Sequence, residues 1–460
     1  MNGNLQAENF RRDMPPPLAP RALNIPDTTQ TRLANGLELV MIEDQRLPLI
    51  SFRLSFRSGD ANDPAHLAGL TDMMSHLVSE GTGTRTSRQI AEEIERLGAT
   101  LSIGSASDFT TIAASTLSIY ASEIFDLIAD VTMRSTFPQN EVDLARENTK
   151  QLLIQQRAQP GFLASERMAK VVFGNHPYAS ISPTEAMLDS LTRDDLLSFR
   201  ASMFIPNNAV LLVVGDFESE SMTARIEELF SQWPRGPVPQ VTSPPLPKRS
   251  ERTIYLVDRP GSAQSNIVIV NEAITRTSPD YFPLLLMHTI LGANASSRLF
   301  MNLREHKGYT YGAYSNLDAR KLAGTFRATA EVRTAVTGAS LHEFFYELDR
   351  IRNEAVSKEE ITNAKSYLTG VFPIRIETQD GLIDQLVNIK MFDLPDDYLH
   401  TYRDRVAAVT TEEIQAVANK YVTPDAAAIV IVGDATAISE QIKPYSEKIE
   451  IYDTEGARKQ

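Results

Sequence analysis

Residues 191–216, LTRDDLLSFRASMFIPNNAVLLVVGD, align without a gap on residues 409–434, VTTEEIQAVANKYVTPDAAAIVIVGD. Each copy opens with Thr followed by acidic residues, a helix start in which a hydroxyl caps free N–H groups and carboxylates complement the helix dipole. A turn around Pro206 or Pro424 follows, and then an apolar run that ends in Gly-Asp and reads as a buried strand. A chain that repeats helix, turn and strand in this way is a duplicated module, so it must fold as two similar units.

Between the copies lies the segment 234–247, where Pro234, Pro237, Pro239, Pro244, Pro245 and Pro247 bar a helix or a central strand. This segment is the expected linker. It divides the chain into a flexible N-terminal segment 1–30, a first half 31–233, the linker 234–247, a second half 248–445 and a C-terminal tail 446–460. Each half opens with strand patterns, LELVMIED and LISFRLSFRSG in the first and TIYLVDR and SNIVIVNEA in the second. Amphipathic helices follow, such as 87–97 and 357–371. Hairpin-like neighbours at 100–103 and 110–118 favour an α+β layer sandwich in each half over a doubly wound parallel sheet. No glycine-rich phosphate loop follows a strand, so nucleotide binding has no support.

The length of 460 residues allows two to four units, and 42% hydrophobic with 23% charged residues is a globular composition. A formal net charge of -14, without a run of Lys and Arg, argues against nucleic-acid binding. The absence of Cys excludes disulfides, thiolate metal sites and cysteine nucleophiles. The N-terminus carries no apolar leader, and no window approaches the roughly 18 apolar residues of a membrane helix. The expectation is a cytoplasmic protein with no membrane insertion; a periplasmic chain with its leader removed would read the same.

An inverted zinc motif, His-x-x-Glu-His, places two imidazoles at i and i+4 on one helical face, with a Glu beside them to deprotonate the metal-bound water. The segment 57–82, RSGDANDPAHLAGLTDMMSHLVSEGT, resembles the region around this motif in the pitrilysin, insulinase and mitochondrial processing peptidase family. That family typically reads Gly-x-x-His-x-x-Glu-His before a Gly-Thr. With Gly69 and Gly81-Thr82 as anchors, the first ligand falls on Asp72, the general base on Ser75 and the second His on His76. The family's third ligand lies seven residues after another Glu, which counted from Glu147 gives Ile154, a side chain with no donor atom. Glu147 itself is about 10 Å away along a helix and does not substitute. The resemblance therefore implies a degenerate zinc site and no metal in this chain.

Residues 293–315, ANASSRLFMNLREHKGYTYGAYS, read as a Ser-capped helix with Leu299, Phe300 and Leu303 toward the core, stopped near Gly308 and followed by a strand. They resemble the same family's Ser-Arg-Leu-Phe, Leu-Arg-Glu and Gly-x-x-Tyr pattern. In the family an Arg and a Tyr seven residues later bind the substrate carbonyl and the tetrahedral oxyanion at the zinc site of the opposing half. The resemblance carries these roles to Arg304 and Tyr311; on bland grounds Arg304 would pair with Glu305 and Tyr311 would pack in the sheet. The segment 97–117 is similar to the family's edge strand that receives substrate by strand addition, with Ser102-Ile103 in place of its Asn-Ala. His176-Pro177-Tyr178 and the two Val-Gly-Asp endings extend the resemblance over residues 31–435.

The family forms a clamshell of two homologous halves, in one chain or as two subunits, and in two-subunit members one subunit holds zinc while the other gives the Arg and Tyr. The resemblance implies that this chain is the non-catalytic subunit of a heterodimeric zinc metallopeptidase acting on peptides. Its partner is expected to be a homologous subunit with His-x-x-Glu-His that carries the Zn. The alternative is a purely structural or interaction protein of the same fold. A stand-alone enzyme of other chemistry lacks a Ser-His-acid or Cys signature.

Overall fold

The computed structural model describes residues 25–459. Two six-stranded sheets organise it. The first is built from β1 (Thr29–Arg32), β2 (Glu38–Glu43), β3 (Leu49–Phe56), β4 (Thr100–Ser105), β5 (Thr110–Leu117) and β6 (Ala209–Gly215), in the spatial order β1-β2-β6-β3-β5-β4. The second is built from β7 (Thr253–Asp258), β8 (Gln264–Glu272), β9 (Thr310–Ala319), β10 (Gly324–Arg333), β11 (Ala428–Gly433) and β12 (Lys448–Tyr452), in the order β12-β7-β11-β8-β10-β9. Leaving out the first strand of each order, the two topologies coincide. The β2–β6 and β7–β11 pairs are parallel and every other pair among these ten strands is antiparallel. The α+β architecture in two homologous halves, read from the repeat, is the one observed.

The repeated segments supply equivalent parts. Thr192 and Thr410 each cap a helix, Arg193–Met203 and Thr411–Tyr421, in a box closed by Asp195 or Glu413 three residues on. A short 3-10 turn at each Pro then delivers β6 or β11, and every residue of both strands is buried. Burial on both faces needs a layer on each side of the sheet, since successive side chains alternate.

The second layer comes from the other half. The helix Gln379–Met391 crosses β3 and β6 of the first sheet, and the helix Pro160–Phe173 crosses β8 and β11 of the second. Val210, Leu212 and Val214 face Leu382, Ile383 and Leu386, whereas Leu211 and Val213 face the first half's own helices. Each such buried aliphatic side chain contributes about 1.5–3 kcal/mol. The exchange is pinned by Arg53 to Asp380 and Asp384, both at 2.9 Å, but these carboxylates are more than half exposed, so each pair is worth about 0–1 kcal/mol. Packing decides the arrangement; the ion pairs set its register.

The segment 233–250 has neither helix nor strand, and it is strapped to the first half. Trp233 Nε1 donates to Phe204 O at 3.1 Å, Ser243 Oγ lies 2.7 Å from His176 Nε2, and Pro247 covers Gly174. Gly174 has φ +58, and an added Cβ there would meet Pro247 Cγ at 2.7 Å, so glycine is required for both conformation and room.

Two expectations for the ends change. Of the N-terminal segment 1–30, residues 1–24 lie outside the described residues, while Ile25 is buried and β1 begins at Thr29. The expected tail 446–460 contains β12, which pairs in parallel with β7 because Ile449 and Ile451 continue the sheet's apolar face. Among the described residues no helix is long and apolar enough to cross a membrane.

Candidate functional site

The helix Leu70–Leu77 carries the degenerate motif and packs against β4 and the helix Gln139–Arg157. Asp63 fixes its start: one carboxylate oxygen accepts from Gly69 N at 2.8 Å and the other from Thr71 N at 2.9 Å and Thr71 Oγ1 at 2.5 Å. Gly69 at φ +91 makes the entry turn, in a conformation L side chains rarely adopt.

Leu70, Met73, Met74 and Leu77 point into the core, so Asp72 and His76 emerge together on the open face at i and i+4. Their side chains are 58% and 68% exposed, and His76 Nδ1 lies 2.8 Å from the backbone oxygen of Asp72 and 3.6 Å from its carboxylate. Ser75 is buried and donates to Thr71 O at 2.8 Å, which closes its hydroxyl back onto its own helix. It offers no base to that face.

A cleft of about 700 Å³ opens beside Asp72, and the Gln139–Arg157 helix lines it with Thr149, Leu152, Leu153 and Gln156. Ile154, assigned from the sequence to the third-ligand position, is 57% exposed and is not among these lining residues. Leu152, half exposed, lies on the wall shared with Asp72. Neither Leu152 nor Ile154 carries a donor atom. Glu147 is exposed and paired with Lys150 at 3.2 Å, away from the cleft. Among the described residues no three His, Cys, Asp or Glu side chains come together to hold a metal. Asp72 and His76 alone supply two donors where a zinc peptidase needs three protein ligands. The residues present do not fit the ion.

The cleft is instead acidic. Burial pushes Asp60 up to about 6 and Asp63 up to about 7, although Ser105 Oγ donates to Asp60 at 2.7 Å and the Thr71 and Gly69 donors oppose the rise at Asp63. Nothing in the sequence marked these two carboxylates.

In the second half the chain after Ser297 makes one α-helical turn, Arg298–Phe300, and then a π-helical turn, Met301–His306. Leu299, Phe300 and Leu303 are buried as expected, but Ser297 does not cap the helix with its side chain; its hydroxyl donates to Asn294 O at 2.6 Å. A π turn is uncommon and concentrates at functional sites. Here it turns Arg304 outward, with its guanidinium 4.7 Å from both the Phe300 and Tyr311 ring centres. Arg304 also lies 3.4 Å from Glu305, so the anticipated ion pair exists. Tyr311 does not pack in the sheet: it is 86% exposed on β9, the outer strand. The two residues carried over from the resemblance are thus adjacent, Tyr311 exposed and Arg304 about one-third exposed beside it.

Ser102 and Ile103 lie on β4, the outer strand of the first sheet, with Ser102 exposed and Ile103 half-buried against the core. β4 runs beside the Leu70–Leu77 helix, and Ser105 at its end lines the same cleft as Asp72. Tyr178 of the His-Pro-Tyr triplet joins the halves: its hydroxyl binds Asp108 and accepts from Leu322 N at 3.1 Å.

Residues 39–181 match the insulinase family, peptidase family M16, and residues 190–368 match the peptidase M16 inactive domain. The chain belongs to the peptidase M16 family. Over 404 residues it is 22% identical to the uncharacterized zinc protease YmxG of Bacillus subtilis, covering 86% of this chain and 96% of that one. It is 25% identical over 409 residues to the uncharacterized zinc protease Rv2782c of Mycobacterium tuberculosis, with 85% and 89% covered. Among solved structures, a peptidase M16 inactive domain from Pseudomonas fluorescens superposes with a TM-score of 0.83 at 25% identity, over 89% of this chain and 98% of that one. A protease from Helicobacter pylori gives the same TM-score at 18% identity, over 89% and 100%, which speaks for the M16 fold alone.

Proposed function

We propose that this M16 chain is the non-catalytic subunit of a two-subunit zinc peptidase, and that it lends Arg304 and Tyr311 to the zinc site of a homologous sister subunit. The observation that carries this reading is the adjacent pair of half-buried Arg304 and exposed Tyr311, on a π turn and an outer strand in a chain with no metal-ligand set among the described residues. A tyrosine 86% exposed contributes little to stability, so its position favours a surface that something else completes.

In the sister, zinc would supply the activated water and polarise the scissile carbonyl. Arg304 then donates to the carbonyl of the bound peptide, and Tyr311 donates its hydroxyl proton in a hydrogen bond to the oxyanion as the carbonyl carbon becomes tetrahedral. Donors fixed in advance where negative charge grows act on the transition state more than on the ground state. The peptide is held by strand addition, which gives affinity through backbone hydrogen bonds and little sequence preference.

The test is co-expression with a sister carrying His-x-x-Glu-His and an assay on unfolded peptides. Arg304→Ala or Tyr311→Phe in this chain is expected to lower kcat about 10²-fold while leaving assembly intact. Unchanged turnover by both variant pairs would leave the chain a structural component.

A further inference from the structure

The outer part of the second sheet carries a cation that the fold leaves unmatched. In the register of β10, Arg327 stands opposite Asn316 on β9 and opposite Val270 on β8. Opposed residues share a face of a sheet. Val270 packs in the apolar cluster under the helix Pro160–Phe173, so Arg327 and Asn316 project on that side too. Thr329, two residues along β10, shares the face.

These three side chains offer donors and meet no oxygen acceptor. Arg327 is part-buried, and its one hydrogen bond among the described residues runs from Nη1 to the weak acceptor Met168 Sδ at 3.9 Å. Nε and Nη2 have no partner and remain open to solvent. Asn316 is exposed and Thr329 half-buried, and neither side chain has a hydrogen-bond partner among the described residues. The charges that act on Arg327 are Asp318 and Arg320. Asp318 Oδ2 is held by Arg320 through Nε at 2.9 Å and Nη2 at 2.6 Å, and no described carboxylate forms an ion pair with Arg327. Burial pulls the Arg327 guanidinium below its ordinary value; Asp318 opposes the shift and Arg320 adds to it. A cation so placed is costly, and an anion brought to it would offset that cost.

The chemistry selects the anion. A planar guanidinium meets a carboxylate through two parallel N–H donors. One free guanidinium balances a monoanion, whereas a dianionic phosphate would need a second, and Arg320 is already committed to Asp318. We propose that Arg327, with Asn316 and Thr329 beside it, binds the carboxylate of a peptide, either its C-terminal group or an Asp or Glu side chain. The choice of a peptide rests on the function proposed above. Asn316 lies five residues beyond Tyr311 on β9, about 17 Å along an extended strand, so one extended peptide reaches both.

The experiment titrates the full chain alone with acetyl-trialanine as the free acid, the same tripeptide as its amide, an acetyl-Ala-Glu-Ala amide, and inorganic phosphate. Saturable binding of the free acid is expected, with the plain amide weaker by about tenfold or more, since charge-assisted hydrogen bonds are lost. Binding of the Glu peptide like the acid admits side-chain carboxylates to the site; binding like the plain amide restricts it to the C-terminus. Arg327→Met should bring the acid down to the level of the amide. Asn316→Ala, at an exposed position that leaves folding undisturbed, should weaken it several-fold. Because Arg327 has no partner carboxylate, Arg327→Met should leave the melting temperature unchanged or raise it. A lower melting temperature would mean that the fold already satisfies the guanidinium, and would overturn the site. Equal binding of acid and amide, tighter binding of phosphate, no effect of the two variants, or no binding at all would overturn it as well. No sister is used here, so failure of the sister-subunit assay with this binding intact would remove the peptidase role and leave the carboxylate site.

Discussion

Asp60 faces Ser105 on β4 and shares its neighbourhood with Asp72, Asp108 and the Arg320 guanidinium. Burial raises its carboxyl to about 6, so between roughly pH 4 and pH 6 the folded chain holds a proton that the unfolded chain has lost. The slope of unfolding free energy against pH is then negative for this group: its contribution is whole below the unfolded value and falls away as pH rises through the folded one. Asp60→Asn keeps the shape and removes the titration. Relative to the parent, the variant should gain stability from pH 4 to pH 7 by an amount on the order of 1–3 kcal/mol, read from denaturant melts at both ends. An unchanged difference across that range would mean that the carboxyl is solvated as an ordinary aspartate. This carboxylate was illegible in the sequence because burial belongs to the loop 60–69 folding over β4, and no local pattern encodes it. The shared face of Asp72 and His76 was legible, since an i, i+4 spacing on one short helix fixes it.

At the scale of elements, the two Thr-capped helix starts were readable, whereas the cap expected at Ser297 and the geometry of the helix after it were not. The Thr192 and Thr410 caps are local, a hydroxyl and a carboxylate three residues apart. The π turn at Met301–His306 is not local: Asn302 donates to Glu343 at 3.1 Å and Glu347 at 2.9 Å, residues some 40 positions further along. The register of the Gln139–Arg157 helix shows the same limit. Counting seven residues from one glutamate reaches Ile154, whereas Thr149, Leu152, Leu153 and Gln156 line the cleft, and a two-residue slip turns a side chain by about 200° around a helix. A gain-of-ligand experiment separates the two registers. Asp72→His with Leu152→Glu completes a His, His, Glu set with His76 and should bind about one zinc per chain by metal analysis. Asp72→His with Ile154→Glu should bind none, and equal zinc in both variants would reject the register through Leu152. Both helix positions are at least half exposed, so neither glutamate is buried without a partner.

At the scale of the whole molecule the duplication was plain from residues 191–216 and 409–434, and the exchange of helices between its copies was not. The reason is physical. A strand buried on both faces, such as β6, shows that something covers the second face, but the covering helix can come from any part of the chain. Gln379–Met391 and Pro160–Phe173 each place their apolar side on the sheet of the other half, so neither half can bury its own sheet alone. A chain divided in the strapped segment, between residues 240 and 241, tests this directly. Each fragment expressed alone should expose a sheet face, bind a hydrophobic dye and aggregate, since contiguous apolar patches of this kind are rare on stable monomers. The two fragments expressed together should recombine into a soluble complex that survives gel filtration, because the exchanged helices restore about 1.5–3 kcal/mol for each aliphatic side chain they cover. Tyr178 provides the finer measure. Its hydroxyl holds Asp108 on one side and Leu322 N on the other, so Tyr178→Phe should weaken the recombined complex by about 1–3 kcal/mol without unfolding either sheet. Two fragments that fold separately and ignore each other would show that the sheets are closed by their own halves and that the exchange contributes nothing to stability.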